Sequence, residues 1–221
     1  MHHKTKNALI IFVKNPIKGK VKTRLAKTIG DDKALEVYQL LLKQTRKITG
    51  ELECDKFVFY DRFVPKRDIW DVPGYCKYVQ QGDDLGERME QAFETIFGLG
   101  YKKVVIIGSD CYELEPADIK IAFELLSERT TSEKGTSVVI GPANDGGYYL
   151  LGLLQILSEI FGGIQWSAPE VLKDTLHKLG ELNKSYALLP ELTDIDTASD
   201  LPDEIIKKVG LLNTSLPNLC F

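Results

Sequence analysis

Positive charge collects at one place near the start of the chain. Between Lys14 and Leu25 (KNPIKGKVKTRL) five of twelve side chains are Lys or Arg: Lys14, Lys18, Lys20, Lys22 and Arg24. Pro16 and Gly19 punctuate the run. Cations on a backbone that a glycine lets bend are suited to a phosphate group, by charge and by close main-chain approach. Lys14, Gly19, Lys22 and Arg24 are therefore candidate phosphate ligands, and Lys22 is also a candidate catalytic residue. Most charge runs are no more than solvated surface. Position argues for a site here, because the run follows ALIIFV (8–13), which reads as a buried strand. Ligands of open α/β sheets gather at the carboxyl ends of such strands. The run has no GxxxxGK[ST] pattern, which disfavours a Walker-type ATPase.

Acidic groups that could answer this charge lie much later. Asp110 follows VVII (104–107), the most strand-like run of the chain, and so stands where a metal or ribose ligand belongs. A plain turn cap explains it equally well. In Asp194-Ile195-Asp196 an extended backbone would send both carboxylates to one face and Ile195 into the core. Two convergent carboxylates form a hard oxygen site for Mg2+ or Mn2+ already carrying substrate phosphates. The competing reading is a helix start, since Thr197-Ala198-Ser199-Asp200 resembles a capping box. Asn144-Asp145-Gly146-Gly147 reads as a turn at which backbone can approach a ligand. There Asp145 would orient an acceptor hydroxyl, a catalytic role, unless the segment is an ordinary hairpin turn; Tyr148-Tyr149 next to it suits ring stacking. Gly82 and Asp84, before a helix pattern that either Asp83 or Asp84 can cap, are weaker nucleotide-pocket candidates. His177 sits in a helical pattern and reads as surface or structural. Ser109 and Cys111 flank Asp110 without a histidine placed to make a hydrolytic triad.

These stations need elements to hold them. Strand and helix signals alternate, which predicts an α/β fold with a mainly parallel, mixed sheet. Strands are expected at 8–13, 56–61, 76–80, 104–107, 136–141 and 186–189. Helices are expected from Asp31 or Asp32 to about Ile48, after Gly86, after Pro116, at 154–160 and 169–179, and from near Thr197. The whole run Lys14 to Leu25 is expected to be loop. With no repeat, low-complexity segment or linker, 221 residues suit a single domain (1–221), with 210–221 as a C-terminal arm. The net charge of -4 makes the basic run a local feature and argues against a nucleic-acid binder. No stretch approaches the ~18 apolar residues of a membrane span. Cys54, Cys76, Cys111 and Cys220 show no CxxC spacing and are expected to be buried free thiols. With no signal-peptide pattern, a cytoplasmic protein is expected.

Five segments taken together, VKTRL, GDDLGERM, IIGSDC, GPANDGGYYLLGL and DIDTASDL, resemble a bacterial family of candidate glycosyltransferases long described as a domain of unknown function. The resemblance spans about Ala8 to Leu201 and implies a GT-A, nucleotide-diphospho-sugar transferase fold, a three-layer sandwich. More distantly the same segments resemble phospholactate and phosphoenolpyruvate guanylyltransferases. It implies that Asp110, Asp194 and Asp196 coordinate Mg2+ or Mn2+ while Lys22 and Arg24 hold nucleotide phosphates. Tyr112 stands where that family usually has proline. The expected activity is a metal-dependent transfer from a nucleotide-activated donor. Glycosyl transfer from a nucleotide sugar to a small-molecule acceptor leads. Nucleotidyl transfer from an NTP to a phosphorylated small molecule is the alternative, and a non-catalytic nucleotide-binding module is a third reading. Acceptor choice is expected to rest on the loops 62–74 and 162–169.

Overall fold

The computed structural model describes residues 7–128, 135–166 and 168–211. Seven strands form one sheet: β1 (Asn7–Val13), β2 (Asp55–Tyr60), β3 (Tyr75–Val79), β4 (Lys103–Ile107), β5 (Val138–Pro142), β6 (Tyr148–Leu153) and β7 (Tyr186–Leu188). Their spatial order is β3-β2-β1-β4-β6-β5-β7. All neighbours run parallel except β6, which is antiparallel to both β4 and β5. The expected mixed, mainly parallel α/β sheet is present.

Six helices cover the two faces: α1 (Thr23–Ile29), α2 (Asp31–Gly50), α3 (Leu85–Gly98), α4 (Pro116–Leu125), α5 (Val171–Glu181) and α6 (Asp203–Lys208). The twofold side-chain period of β1 assigns the layers. Leu9, Ile11 and Val13 pack with Leu25 of α1, Val37 and Leu41 of α2, Ile119 of α4 and Ile205 of α6. Ala8 and Ile10 point the other way, onto Met89, Phe93 and Ile96 of α3 and Leu179 of α5. Burying each such aliphatic or aromatic side chain stabilises by about 1.5–3 kcal/mol. That is why the continuous apolar runs at β1 and β4 lie at the centre of the sheet.

Some local expectations need correction. The basic run is loop only as far as Lys22; Thr23, Arg24 and Leu25 begin α1. This helix has seven residues and a single fully buried one, Leu25, so its sequence carries no periodic signal. Gly30, at φ 81°, ends it and lets α2 start at Asp31. The expected helix at 154–160 is only a 3-10 turn over Ser158–Ile160. The expected final helix from Thr197 divides into a 3-10 turn, Ala198–Asp200, and α6. Cys54 and Cys111 are buried free thiols but Cys76 is exposed, on a strand at the edge of the sheet. The C-terminal arm, apart from Gly210 and Leu211, and Cys220 lie outside the described residues. No described helix is long and apolar enough to cross a membrane.

Candidate active site

The sheet order decides where a ligand can sit. From β1 the chain moves outward to β2 and β3, then returns to place β4 on the other side of β1. The loops after β1 and β4 diverge at this switch point and leave a crevice at the carboxyl ends of the strands. A cavity of about 650 Å³ occupies it, lined by Lys14, Lys20, Lys22 and Arg24 from the first loop and α1. Asp110, Asp145, Asp194 and Asp196 line it from the other side. Residues almost two hundred positions apart in sequence thus share one wall-to-wall site.

The basic loop is held at its base. The Lys14 N–H donates to the Tyr38 hydroxyl oxygen (2.7 Å), which lies 3.3 Å from Ser109 Oγ. Burial, then the nearby Asp110, push the Tyr38 hydroxyl well above the usual tyrosine range, so it stays protonated. Buried Asn15 exchanges hydrogen bonds with the Phe63 main chain, and its own N–H donates to Asp61 (2.6 Å). These contacts fix the end of β1 against the segment after β2. No local pattern hints at them, because Asn15 and Tyr38 act only through partners far along the chain.

Lys22 is the centre of the charged array. Its backbone is left-handed, φ 48° and ψ 44°, at the N-terminal edge of α1. Its side chain is 3% exposed, and its Nζ lies 2.9 Å from Asp110 Oδ1 and 3.5 Å from Asp196 Oδ1. Arg24 Nη1 reaches Asp196 Oδ2 at 3.3 Å. The two acidic segments are joined through main chain: the Ile195 N–H donates to the Asp110 carbonyl (3.0 Å), and Cys111 bridges Asp194 in antiparallel fashion. Ile195 is buried in the core while Asp194 and Asp196 both face the cavity. Thr197 and Asp200 form the capping box that the sequence offered as the competing reading, so the segment both caps and lines the site. Burial first, and then repulsion from Asp110, raise the Asp194 carboxyl to about 7.

Asp145 lies in the β5–β6 hairpin turn, where its Oδ1 accepts the Gly147 N–H (2.9 Å). Gly146 is required there. Its φ is +89°, and a Cβ would stand 1.9 Å from the Pro169 carbonyl oxygen. The loop carrying Pro169 also places Trp166 in the cavity wall. Trp166 rests on Gly86, where a Cβ would come within 2.1 Å of the indole nitrogen, and meets Tyr148 edge-on. Phe12, Leu85, Met89 and Val171 continue this apolar wall.

Not every residue singled out in the sequence reaches the cavity. Gly19, at φ +71°, is exposed beside Asp31 and does not line it. Gly82 packs against the first turn of α3, and Asp84 caps that helix by accepting the Glu87 N–H (2.9 Å); neither lines the cavity. Of the two loops expected to select an acceptor, 162–169 contributes Trp166, Ala168 and Pro169, while no residue of 62–74 lines the space. Tyr112 points away from it and donates to Glu204 of α6 (2.8 Å). His177 is exposed and pairs with Glu181. Lys20 was visible in the basic run without distinction from its neighbours. Trp166 and Met89 had no sequence signal beyond apolarity.

Among the described residues no three His, Cys, Asp or Glu side chains converge closely enough to enclose a metal ion. Yet a cation already stands between Asp110 and Asp196, namely the Lys22 ammonium, and Asp194 borders them. An all-carboxylate donor set around a stand-in cation fits a hard divalent ion.

The comparisons agree with this architecture. No curated protein matches the chain. A solved structure from Desulfovibrio desulfuricans G20, described as a candidate nucleotide-diphospho-sugar transferase, is 31% identical over 96% of this chain and 90% of its own, with a TM-score of 0.81. A cytidylyltransferase from Leptospira borgpetersenii is 12% identical over 99% of both chains, with a TM-score of 0.56. Glucosyl-3-phosphoglycerate synthase from Mycobacterium tuberculosis, in complex with Mg2+ and UDP, is 10% identical over 88% of this chain and 73% of its own, with a TM-score of 0.50. The latter two share the fold, and the first two are described as transferases. A family model described as an uncharacterized protein conserved in bacteria, DUF2064, matches residues 44–168. The chain belongs to this DUF2064 family and has the fold of the nucleotide-diphospho-sugar transferases.

Proposed function

We propose that this protein transfers a sugar from a nucleotide-diphospho-sugar to a small hydroxyl-bearing acceptor, with a divalent cation held by Asp110, Asp194 and Asp196. The observation that carries the reading is the one cavity in which the cationic end of β1 faces four carboxylates, Asp110, Asp145, Asp194 and Asp196. Mg2+ or Mn2+ bound there would neutralise charge on the donor's phosphates. Among the described residues Lys14 and Lys20 line the cavity with no carboxylate paired to them, so they are best placed to take the diphosphate. Lys22 and Arg24 are already engaged with Asp110 and Asp196. In transfer, the acceptor oxygen forms a bond to the anomeric carbon as the bond to the diphosphate oxygen breaks. The hydroxyl proton passes to a carboxylate, for which Asp145, lining the cavity and oriented by the Gly147 N–H, is the candidate. Lys14 and Lys20 stabilise the charge left on the departing diphosphate. The aromatic wall of Tyr148 and Trp166 would bound the space for sugar and acceptor.

Nucleotidyl transfer with loss of pyrophosphate is the second reading. What favours it is the number of cations around the cavity, four, against the smaller charge of a diphosphate donor. The two are separated by product. Incubation with a panel of nucleotide sugars, Mn2+ and sugar, glycerate and phosphoacid acceptors is expected to release nucleoside diphosphate, with at least a ~100-fold loss in Asp110→Asn. Acceptor-dependent pyrophosphate release from an NTP, lost in the same variant, would establish the second reading instead. Nucleotide binding with no turnover of any donor would leave a binding module.

A further inference from the structure

We infer that Lys22 is a resident counter-cation that reserves the acidic site, so that a divalent ion enters only together with a nucleotide whose phosphates draw the ammonium away. The inference rests on the reading of this cavity as a metal-nucleotide site, and it concerns the order in which that site fills. Three observations carry it. The Lys22 side chain is 3% exposed, and a buried ammonium is tolerated only when paired. Its partners are Asp110 and Asp196, carboxylates that are themselves one-third or more exposed and open to the cavity. The side chain is delivered by a left-handed backbone, a conformation that is costly for a non-glycine residue and persists when the surroundings over-determine it.

Charge arithmetic makes the consequence definite. Among the described residues, the charged side chains lining the cavity are four cations (Lys14, Lys20, Lys22, Arg24) and four carboxylates (Asp110, Asp145, Asp194, Asp196), so this lining is formally neutral. A bare divalent ion would add two positive charges to a neutral wall and would meet the Lys22 ammonium at the oxygens it needs. A nucleotide diphosphate arriving with the metal supplies the missing negative charge and gives Lys22 a new partner. Lys22 is then a positioning residue before it is a phosphate ligand: it keeps Asp110 and Asp196 apart from stray cations and holds them oriented for the loaded state.

The test is Mn2+ binding to the nucleotide-free protein, read by electron paramagnetic resonance of free Mn2+ and by calorimetry, with no turnover involved. Lys22→Met and Lys22→Gly both remove the ammonium, and glycine also accepts the left-handed backbone, so at least one variant is expected to fold. Each should bind Mn2+ about tenfold or more tightly than the wild type, since a full charge at contact distance has gone. Lys22→Arg should keep the weak wild-type binding, and Lys27→Met, an exposed cation of α1 outside the cavity, should change it less than about twofold. Adding Asp110→Asn to Lys22→Gly should abolish the gain. Equal Mn2+ affinity in wild type and the folded Lys22 variants, or an equal gain in Lys27→Met, overturns the inference. A parallel arm adds UDP, CDP and GDP to the wild type. If none increases Mn2+ uptake, the nucleotide-transferase reading fails, whereas the Lys22 comparison in nucleotide-free protein stands or falls independently.

Discussion

Asp194 is the residue at which the cost of the site is most visible. Its carboxyl is pushed to about 7 by burial and by Asp110, against an unfolded value of about 3.9. A raised acid pKa means that the folded state holds the proton more tightly than the unfolded chain. The penalty is absent below about pH 4, grows as the pH rises from about 4 to about 7, and is constant above. Partial solvent access reduces it to about 2 kcal/mol. Asp194→Asn should therefore melt about 5 °C above the wild type at pH 8 in EDTA and close to it at pH 3.5. Differential scanning calorimetry across that range checks the sign. A pH-independent offset would show that repulsion at Asp194 is not its source. The same residue marks the limit of sequence reading. The alternation Asp194-Ile195-Asp196 predicts two carboxylates on one face, and they are there. Their meeting with Lys22 depends on the hydrogen bond from Ile195 to the Asp110 carbonyl, which no local pattern encodes.

Among the elements, the strands at the centre of the sheet and the long helices were legible because each carries its own period. β1 and β4 are continuous apolar runs, as strands buried on both faces must be. α2 and α3 carry apolar residues at helical spacing. α1 was not legible, since seven residues with one buried leucine have no period to detect. The loop expected at 162–169 is the other element that sequence could only outline. Its Trp166 and Pro169 sit in two notches that exist because Gly86 and Gly146 lack a Cβ. Gly86→Ala should push the Trp166 indole out of its notch. The chain has two tryptophans, and Trp70 is 1% exposed, so the change reports on Trp166 alone. Its emission should shift to the red and become quenchable by acrylamide, and Trp166→Phe in the same background should remove the shift. Unchanged emission would mean that the loop is not anchored at Gly86.

At the scale of the whole molecule, the sheet order sets the gradient of stability. β1 is hydrogen-bonded on both sides, to β2 and β4, whereas β3 and β7 are edges. β7 has three residues, and Tyr186 and Leu188 are 44% and 48% exposed. Amides of Leu9–Ile11 and Val104–Ile107 should exchange only through global unfolding, and those of Tyr186–Leu188 at least ~100-fold faster by local opening. Native-state hydrogen exchange measures this, and comparable protection of β7 and β1 would refute it. The cationic loop and Asp110 follow β1 and β4, interior strands of the sheet. That combination supports a rigid floor beneath side chains that must exchange partners when a ligand arrives.

The alternation of strands and helices, the cationic run after β1, and the acidic stations after β4 and before α6 are all legible in the order of residues alone. Each of these is a local pattern of polarity, charge or turn chemistry, which neighbouring residues suffice to specify. Three-dimensional packing alone puts Lys22 between Asp110 and Asp196 and, among the described residues, leaves Lys14 and Lys20 as the cavity cations with no paired carboxylate. It also decided that Gly19, Gly82 and Asp84 serve turns and a helix cap outside the cavity. Charge pairing acts over a few ångströms whatever the separation in sequence, so the order of the strands, rather than the order of the residues, chooses the partners.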